Sequence, residues 1–145
     1  MDKVDSKRLA GRRGARYGAV QAVYRWLMNQ VDPNEIWTEV SEWDHLRKAN
    51  KDMLRALVFG TIEASEGLNA KIAGHLDRDL DKLDPMEHAV LLVGAYELAE
   101  SPELSKGIVI NEAIELSKMF GADQAHKYVN GVLDKLSREL RPHNL

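Results

Sequence analysis

Cysteine is absent from this chain, which removes disulfides and thiolate chemistry at the outset. No run of 18 or more apolar residues occurs, so no segment reads as a membrane span. The N-terminal stretch MDKVDSKRLAGRRGAR lacks the apolar core of a signal peptide, and cytoplasm is the expected compartment. Prolines number only four, and β-branched alternation is scarce, which argues against strands. Catalytic motifs are missing too. There is no G-x-x-x-x-G-K-[ST] phosphate loop, no G-x-G-x-x-G turn after a strand and no G-x-S-x-G elbow. His45, His75, His88, His126 and His143 form no i,i+4 pair and no H-E-x-x-H, so nothing supports a metal site. The expectation is a protein that binds rather than catalyses and needs no cofactor.

What is present is helical. The 145 residues are 44% hydrophobic and 30% charged, enough for a core under a well-solvated surface. The spacing predicts an all-α protein of about seven helices in two bundles, divided near residue 80 (12–80 and 81–145) after a flexible basic arm over 1–11. A first helix runs from about Arg12 to Asn29, with Ala19, Ala22, Val23 and Trp26 on one stripe and Val20, Tyr24 and Leu27 on its neighbour. Gly11, Gly14 and Gly18 in its first turns each cost about 0.8–1 kcal/mol relative to Ala, so a frayed start is expected. Asp32-Pro33 opens a short helix with Ile36, Trp37, Val40 and Trp43 inward. A long helix follows over Leu46–Glu66, then a shorter one after Gly67, then the acidic connection DRDLDKLD. Asp84-Pro85-Met86-Glu87 is a well-formed helix start that accounts for both carboxylates by capping. Trp26, Trp37 and Trp43 read as core.

Charge is unevenly spread. The net charge is −3, yet residues 1–16 hold Lys3, Lys7, Arg8, Arg12, Arg13 and Arg16 against Asp2 and Asp5, a local +4 that leaves −7 on the other 129 residues. A basic arm on an acidic body points to nucleic acid. Arg12, Arg13 and Arg16 carry that case best, since no helical core needs three cations within five residues. The other functional stretch is GIVINEAIELSKMFGADQAHKYVNGVLDKL, residues 107–136. Val109, Ile110, Ala113, Ile114, Ser117 and Phe120 form one helical face, and Val129, Val132, Leu133, Leu136 and Leu140 a second, with Gly121 as the left-handed terminator between them. Lys118, Phe120, Lys127 and Tyr128 gather cations and rings near that turn, a mixture suited to single-stranded nucleic acid. Spacing alone favours a plain hairpin with a solvated tip. Asn111 and Asn130 are expected to serve structure, and Gly131 a close helix approach.

Order and register add more. VINEAIELSKMFG and HKYVNGVLDKL, the N-terminal RRGARYGAVQAVYRW and the central EHAVLLVGAYEL together resemble the signature of the NusB family of bacterial transcription antitermination factors, from about Arg12 to Arg141. The resemblance implies an all-helical, non-enzymatic protein, built from two packed three-helix subdomains, that binds the boxA RNA of ribosomal RNA leader transcripts with NusE, a small-subunit ribosomal protein. It further implies assembly with NusA, NusG and RNA polymerase. Carried over by position, Arg12, Arg13 and Arg16 match the RNA-contacting arm. Phe120 and Tyr128 match ring positions facing RNA, with Gln124 and Lys127 in the same loop and turn, and Lys118 is a phosphate contact by its chemistry. Tyr24 and Glu87 match the NusE side, and His75 borders the RNA surface. The chain departs from the family pattern at Gly14, where a third consecutive arginine is frequent, at Gly18, and at Leu92 in place of a central-helix arginine. Two other readings stand beside this one: a helical protein-interaction module, and an accessory domain like those preceding ribosomal RNA cytosine methyltransferases.

Overall fold

The structure is a computed structural model that describes residues 6–120 and 124–142. The expectations for Lys3, Gly121 and His143 lie outside these residues. Among the described residues there are six α-helices and no strand: α1 (Gly11–Asn29), α2 (Pro33–Val40), α3 (Lys51–Ala73), α4 (Pro85–Glu100), α5 (Lys106–Met119) and α6 (Ala125–Leu140). Single 3-10 turns lie at Asp44–Leu46 and Leu80–Lys82. The count falls below seven because the helices expected on either side of Gly67 are one helix, α3. Its buried line Val58, Ile62, Ser65, Leu68 and Ile72 continues through the glycine in register, so packing overrides a propensity cost of about 1 kcal/mol. The chain divides into two compact units, Met1–Glu63 and Ala64–Leu145, a division that falls inside α3.

In the first unit, α1 does not fray at its start. Residues 6–11, expected to be mobile, form a turn with Leu9 fully buried. Gly11, at φ +61°, donates its N–H to the Lys48 carbonyl at 2.9 Å and accepts from the Asn50 N–H at 3.0 Å. A Cβ at Gly14 would lie 1.7 Å from the Leu9 carbonyl oxygen and 2.7 Å from Ala49 Cβ, and one at Gly18 would lie 2.6 Å from Leu46 Cδ1. The glycines are therefore the condition for this packing. Gln30 closes α1 in the left-handed region, with backbone and side-chain N–H groups both on the Trp26 carbonyl. The Asp32 side chain caps α2 through the Asn34 N–H at 2.7 Å, and Ile36 and Val40 are fully buried. Trp26, Trp37 and Trp43, read as core, are only half-buried. Trp37 tilts against Phe59, and Trp43 stacks on His45 with centroids 5.4 Å apart.

In the second unit, Asp84 caps α4 by accepting from the Met86 and Glu87 N–H groups at 2.9 and 3.2 Å. Residues 89–95 of α4 are all buried, as expected of a helix that is apolar on every side. Val109, Ile110, Ala113 and Ser117 of α5 and Val129, Val132, Leu133 and Leu136 of α6 are buried as the periodicity predicts, while Ile114 and Leu140 are half-buried. The close helix approach belongs to a different glycine from the one expected. A Cβ at Gly94 would sit 3.0 Å from Leu133 Cδ1, whereas Gly131 is exposed with nothing within 4 Å of its added Cβ. Asn111 and Asn130 are exposed on their helices. Arg141, buried at the end of α6, donates to the carbonyls of Glu97, Leu98, Ser101 and Leu104, gathering the end of α4 and the loop that follows.

Candidate nucleic-acid interface

The expected RNA contacts fall in both units. Arg12 and Arg13 stand at the start of α1, Arg12 exposed and Arg13 half-buried. The pinned start of α1 therefore presents these cations on fixed backbone. Arg16 differs. One turn further on, it is only 3% exposed, which leaves little of it open to a phosphate. The reason is that α1 is buried on every side over residues 14–20, so Arg16 shares the burial of Ala15 and Ala19, which spacing from Arg12 alone did not reveal.

The second cluster lies at the adjoining ends of α5 and α6. Lys118, in the last turn of α5, is exposed and 3.9 Å from Glu115. Phe120 ends that helix, half-buried, with its N–H on the Leu116 carbonyl. Gln124, exposed, precedes α6 and makes no side-chain cap hydrogen bond, and Lys127 is exposed in the first turn. Tyr128 is half-buried, and one face of its ring is covered by Arg78, whose guanidinium carbon lies 4.4 Å from the ring centroid. Arg78 Nε in turn donates to Asp77 Oδ1 at 2.9 Å. The Tyr128 hydroxyl is buried beside the Asp77 carboxylate, close enough to shift both groups but outside hydrogen-bond geometry. Arg78 first, then Tyr128, holds the Asp77 carboxyl low, while burial first, then Asp77, pushes the Tyr128 phenol up. Sequence reasoning passed over Arg78 because a lone arginine inside DRDLDKLD reads as a solvated counter-charge.

The two expected partner-side residues are both half-buried, Tyr24 in the first unit and Glu87 in the second. Glu87 Oε2 is buried with no hydrogen-bond partner among the described residues. Burial, and then the neighbouring Asp84, raise its carboxyl above the ordinary range. It does not return the bond of a full capping box, which leaves it an acceptor for a basic partner. His75, just after α3, donates its Nε2–H to Glu139 Oε1 at 2.9 Å, beside Lys71. No helix is long and apolar enough to cross a membrane, and no group of three His, Cys, Asp or Glu side chains among the described residues could hold a metal ion.

The model of the family described as NusB matches residues 13–138. The chain belongs to the NusB family. Among curated relatives, transcription antitermination protein NusB of Paraburkholderia phymatum is 46% identical over 132 residues, covering 91% of each chain. That of Thiobacillus denitrificans is 38% identical, covering 90% of each. Among solved structures, one described as antitermination factors NusB and NusE in complex with dsRNA aligns with TM-score 0.76 at 28% identity, over 88% of this chain and 96% of that one. NusB from Aquifex aeolicus aligns with TM-score 0.75 at 30% identity, over 88% and 89%. Within the NusB family frame, the departures at Gly14, Gly18 and Leu92 acquire a packing reason. Gly14 admits the turn before α1 at a distance no side chain allows, Gly18 lies against the side-chain tips of Leu46 and Leu54, and Leu92 is fully buried.

Proposed function

We propose that this NusB-family chain works as an antitermination factor by binding the single-stranded boxA RNA of ribosomal RNA leader transcripts together with the ribosomal protein NusE. On this reading it joins NusA, NusG and RNA polymerase by placing RNA and protein, not by catalysis. The observation that carries the proposal is the family match over nearly the whole chain, with a similar fold in a structure of NusB and NusE in complex with dsRNA supporting RNA and NusE as partners. Exposed Arg12, Lys118 and Lys127 and partly exposed Arg13 supply phosphate affinity, that of Lys127 reinforced by the positive end of α6. Phe120 and the Tyr128 region supply faces for bases, and Gln124 an amide for base edges. Tyr24 and the unpartnered Glu87 carboxylate receive the basic ribosomal protein.

The test is a binding titration of boxA RNA, with and without NusE, at several salt concentrations and against a duplex of the same sequence. Single-stranded binding enhanced by NusE is expected. Affinity that is equal for duplex and unrelated strands would refute boxA recognition, because a stacked A-form helix hides base faces from rings. Loss of RNA binding with retention of NusE would leave a protein-interaction module.

A further inference from the structure

We infer that Arg78 is an RNA-contacting residue of this chain, and that it meets a nucleobase rather than a phosphate: its guanidinium, seated on the Tyr128 ring, forms the platform on which a base stacks. This rests on the RNA-binding reading above. Three observations lead to it. The ring expected to stack on RNA already has a planar cation over one face, 4.4 Å from its centroid. Arg78 is held there by its Nε bond to Asp77, and that bond leaves the four N–H donors of its Nη groups for a ligand. With the Tyr128 ring on one side, the Arg78 side chain keeps 44% of its surface exposed.

Charge decides between base and phosphate. Asp77 pairs with Arg78 directly, and Asp79, Asp81 and Asp84 follow within the same short connection. An approaching phosphate meets that acidic run, whereas a neutral base pays no such penalty and gains both a stacking face and donors for its carbonyl and ring-nitrogen acceptors. Guanidinium planes serve as stacking surfaces for bases as aromatic rings do. Tyr128 then acts as a positioning residue, fixing the plane of Arg78 with its own hydroxyl buried behind it. The ring-on-guanidinium arrangement also explains how a half-buried tyrosine can contribute to RNA binding without offering a fully exposed face.

Fluorescence anisotropy with labelled single-stranded boxA RNA tests this on the full chain, using Arg78→Ala, Arg78→Lys and Tyr128→Ala across a salt series. Arg78→Ala is expected to weaken binding about 5- to 100-fold, the span of one lost stacking partner, with the slope of log affinity on log salt unchanged. Arg78→Lys restores the charge but not the plane, so it is expected to bind nearly as weakly as Arg78→Ala. The double variant Arg78→Ala with Tyr128→Ala is expected to be little weaker than Arg78→Ala alone, since the ring acts through the arginine. Wild-type affinity in Arg78→Ala overturns the inference while leaving the RNA-binding reading intact. So does full rescue by lysine, or a salt slope reduced by a whole phosphate contact, because either makes Arg78 a point charge. Absence of RNA binding by the unsubstituted chain overturns both.

Discussion

Gly14→Ala should destabilise the chain even though it replaces glycine with the best helix former. In an open helical site the exchange stabilises by about 0.8–1 kcal/mol. At position 14 the new Cβ would stand 1.7 Å from the Leu9 carbonyl oxygen and 2.7 Å from Ala49 Cβ. The first of these is backbone and cannot swing aside. It belongs to the turn that Gly11 ties to Lys48 and Asn50, so relief requires moving Leu9 out of its fully buried seat or parting Gly11 from its partners. Overpacking of this kind costs about 1–3 kcal/mol and offsets or outweighs the propensity gain, for a net loss of up to about 2 kcal/mol. Gly131→Ala is the internal control: helical, exposed and with nothing within 4 Å, it should gain up to about 1 kcal/mol. Urea unfolding followed by circular dichroism reads both, with the midpoint moving in opposite directions and the slope held constant. A Gly14→Ala chain as stable as Gly131→Ala would refute the reasoning. It would mean that the turn before α1 yields freely and that Gly14 is a neutral departure from the arginine frequent in the NusB family.

Replacing Arg12 and Arg13 by Ala should weaken boxA binding and lower the salt slope by about 0.7 per lost phosphate contact, read by titration across salt concentrations. Arg16→Ala should leave that slope alone and instead cost about 1–3 kcal/mol of stability in urea unfolding, because a buried cation and its partners lose their bonds. Burial lowers the proton affinity of His45 and His88, and His88 Nε2 lies 2.6 Å from Asn69 Oδ1. Below about pH 6.5 the unfolded chain therefore takes up protons that the folded chain refuses, so stability is full above that pH and falls as pH drops toward the folded values. Unfolding midpoints measured from about pH 7.5 down to about 5.5 should decline, and less steeply in His88→Gln. Glu87→Gln should reduce NusE affinity by about 1–3 kcal/mol in calorimetry, with RNA binding in the absence of NusE unchanged.

Helix positions were legible in the sequence wherever a cap and a period coincided. Asp32-Pro33 and Asp84-Pro85 mark the starts of α2 and α4 to the residue, and the apolar lines of α5 and α6 are the buried ones. Gly67 was misleading because a propensity penalty near 1 kcal/mol says nothing of the apolar line running past it. The division inside α3 left no mark for the same reason: a continuous helix has no linker composition. At the candidate site, residue types were readable but accessibility was not. Arg12 and Arg16 share a spacing, yet Arg16 is buried, since which stretch of α1 is covered depends on Leu9 and Leu46 far along the chain or before the helix. Arg78 was invisible because its meaning comes from Tyr128, fifty residues away in sequence.

Arg141 also has a bearing on how the second unit comes into being during synthesis. The carbonyls of Glu97, Leu98, Ser101 and Leu104 are made long before the one side chain that gathers them, and the helix carrying that side chain is also the one whose buried row faces α4 and α5. A nascent chain extended only through α5 has these groups solvated and the surface at Gly94 without the Leu133 side chain that lies on it. Translation therefore holds this unit open until α6 has emerged from the ribosome, an interval in which chaperones, rather than RNA, are the natural company for its apolar surface.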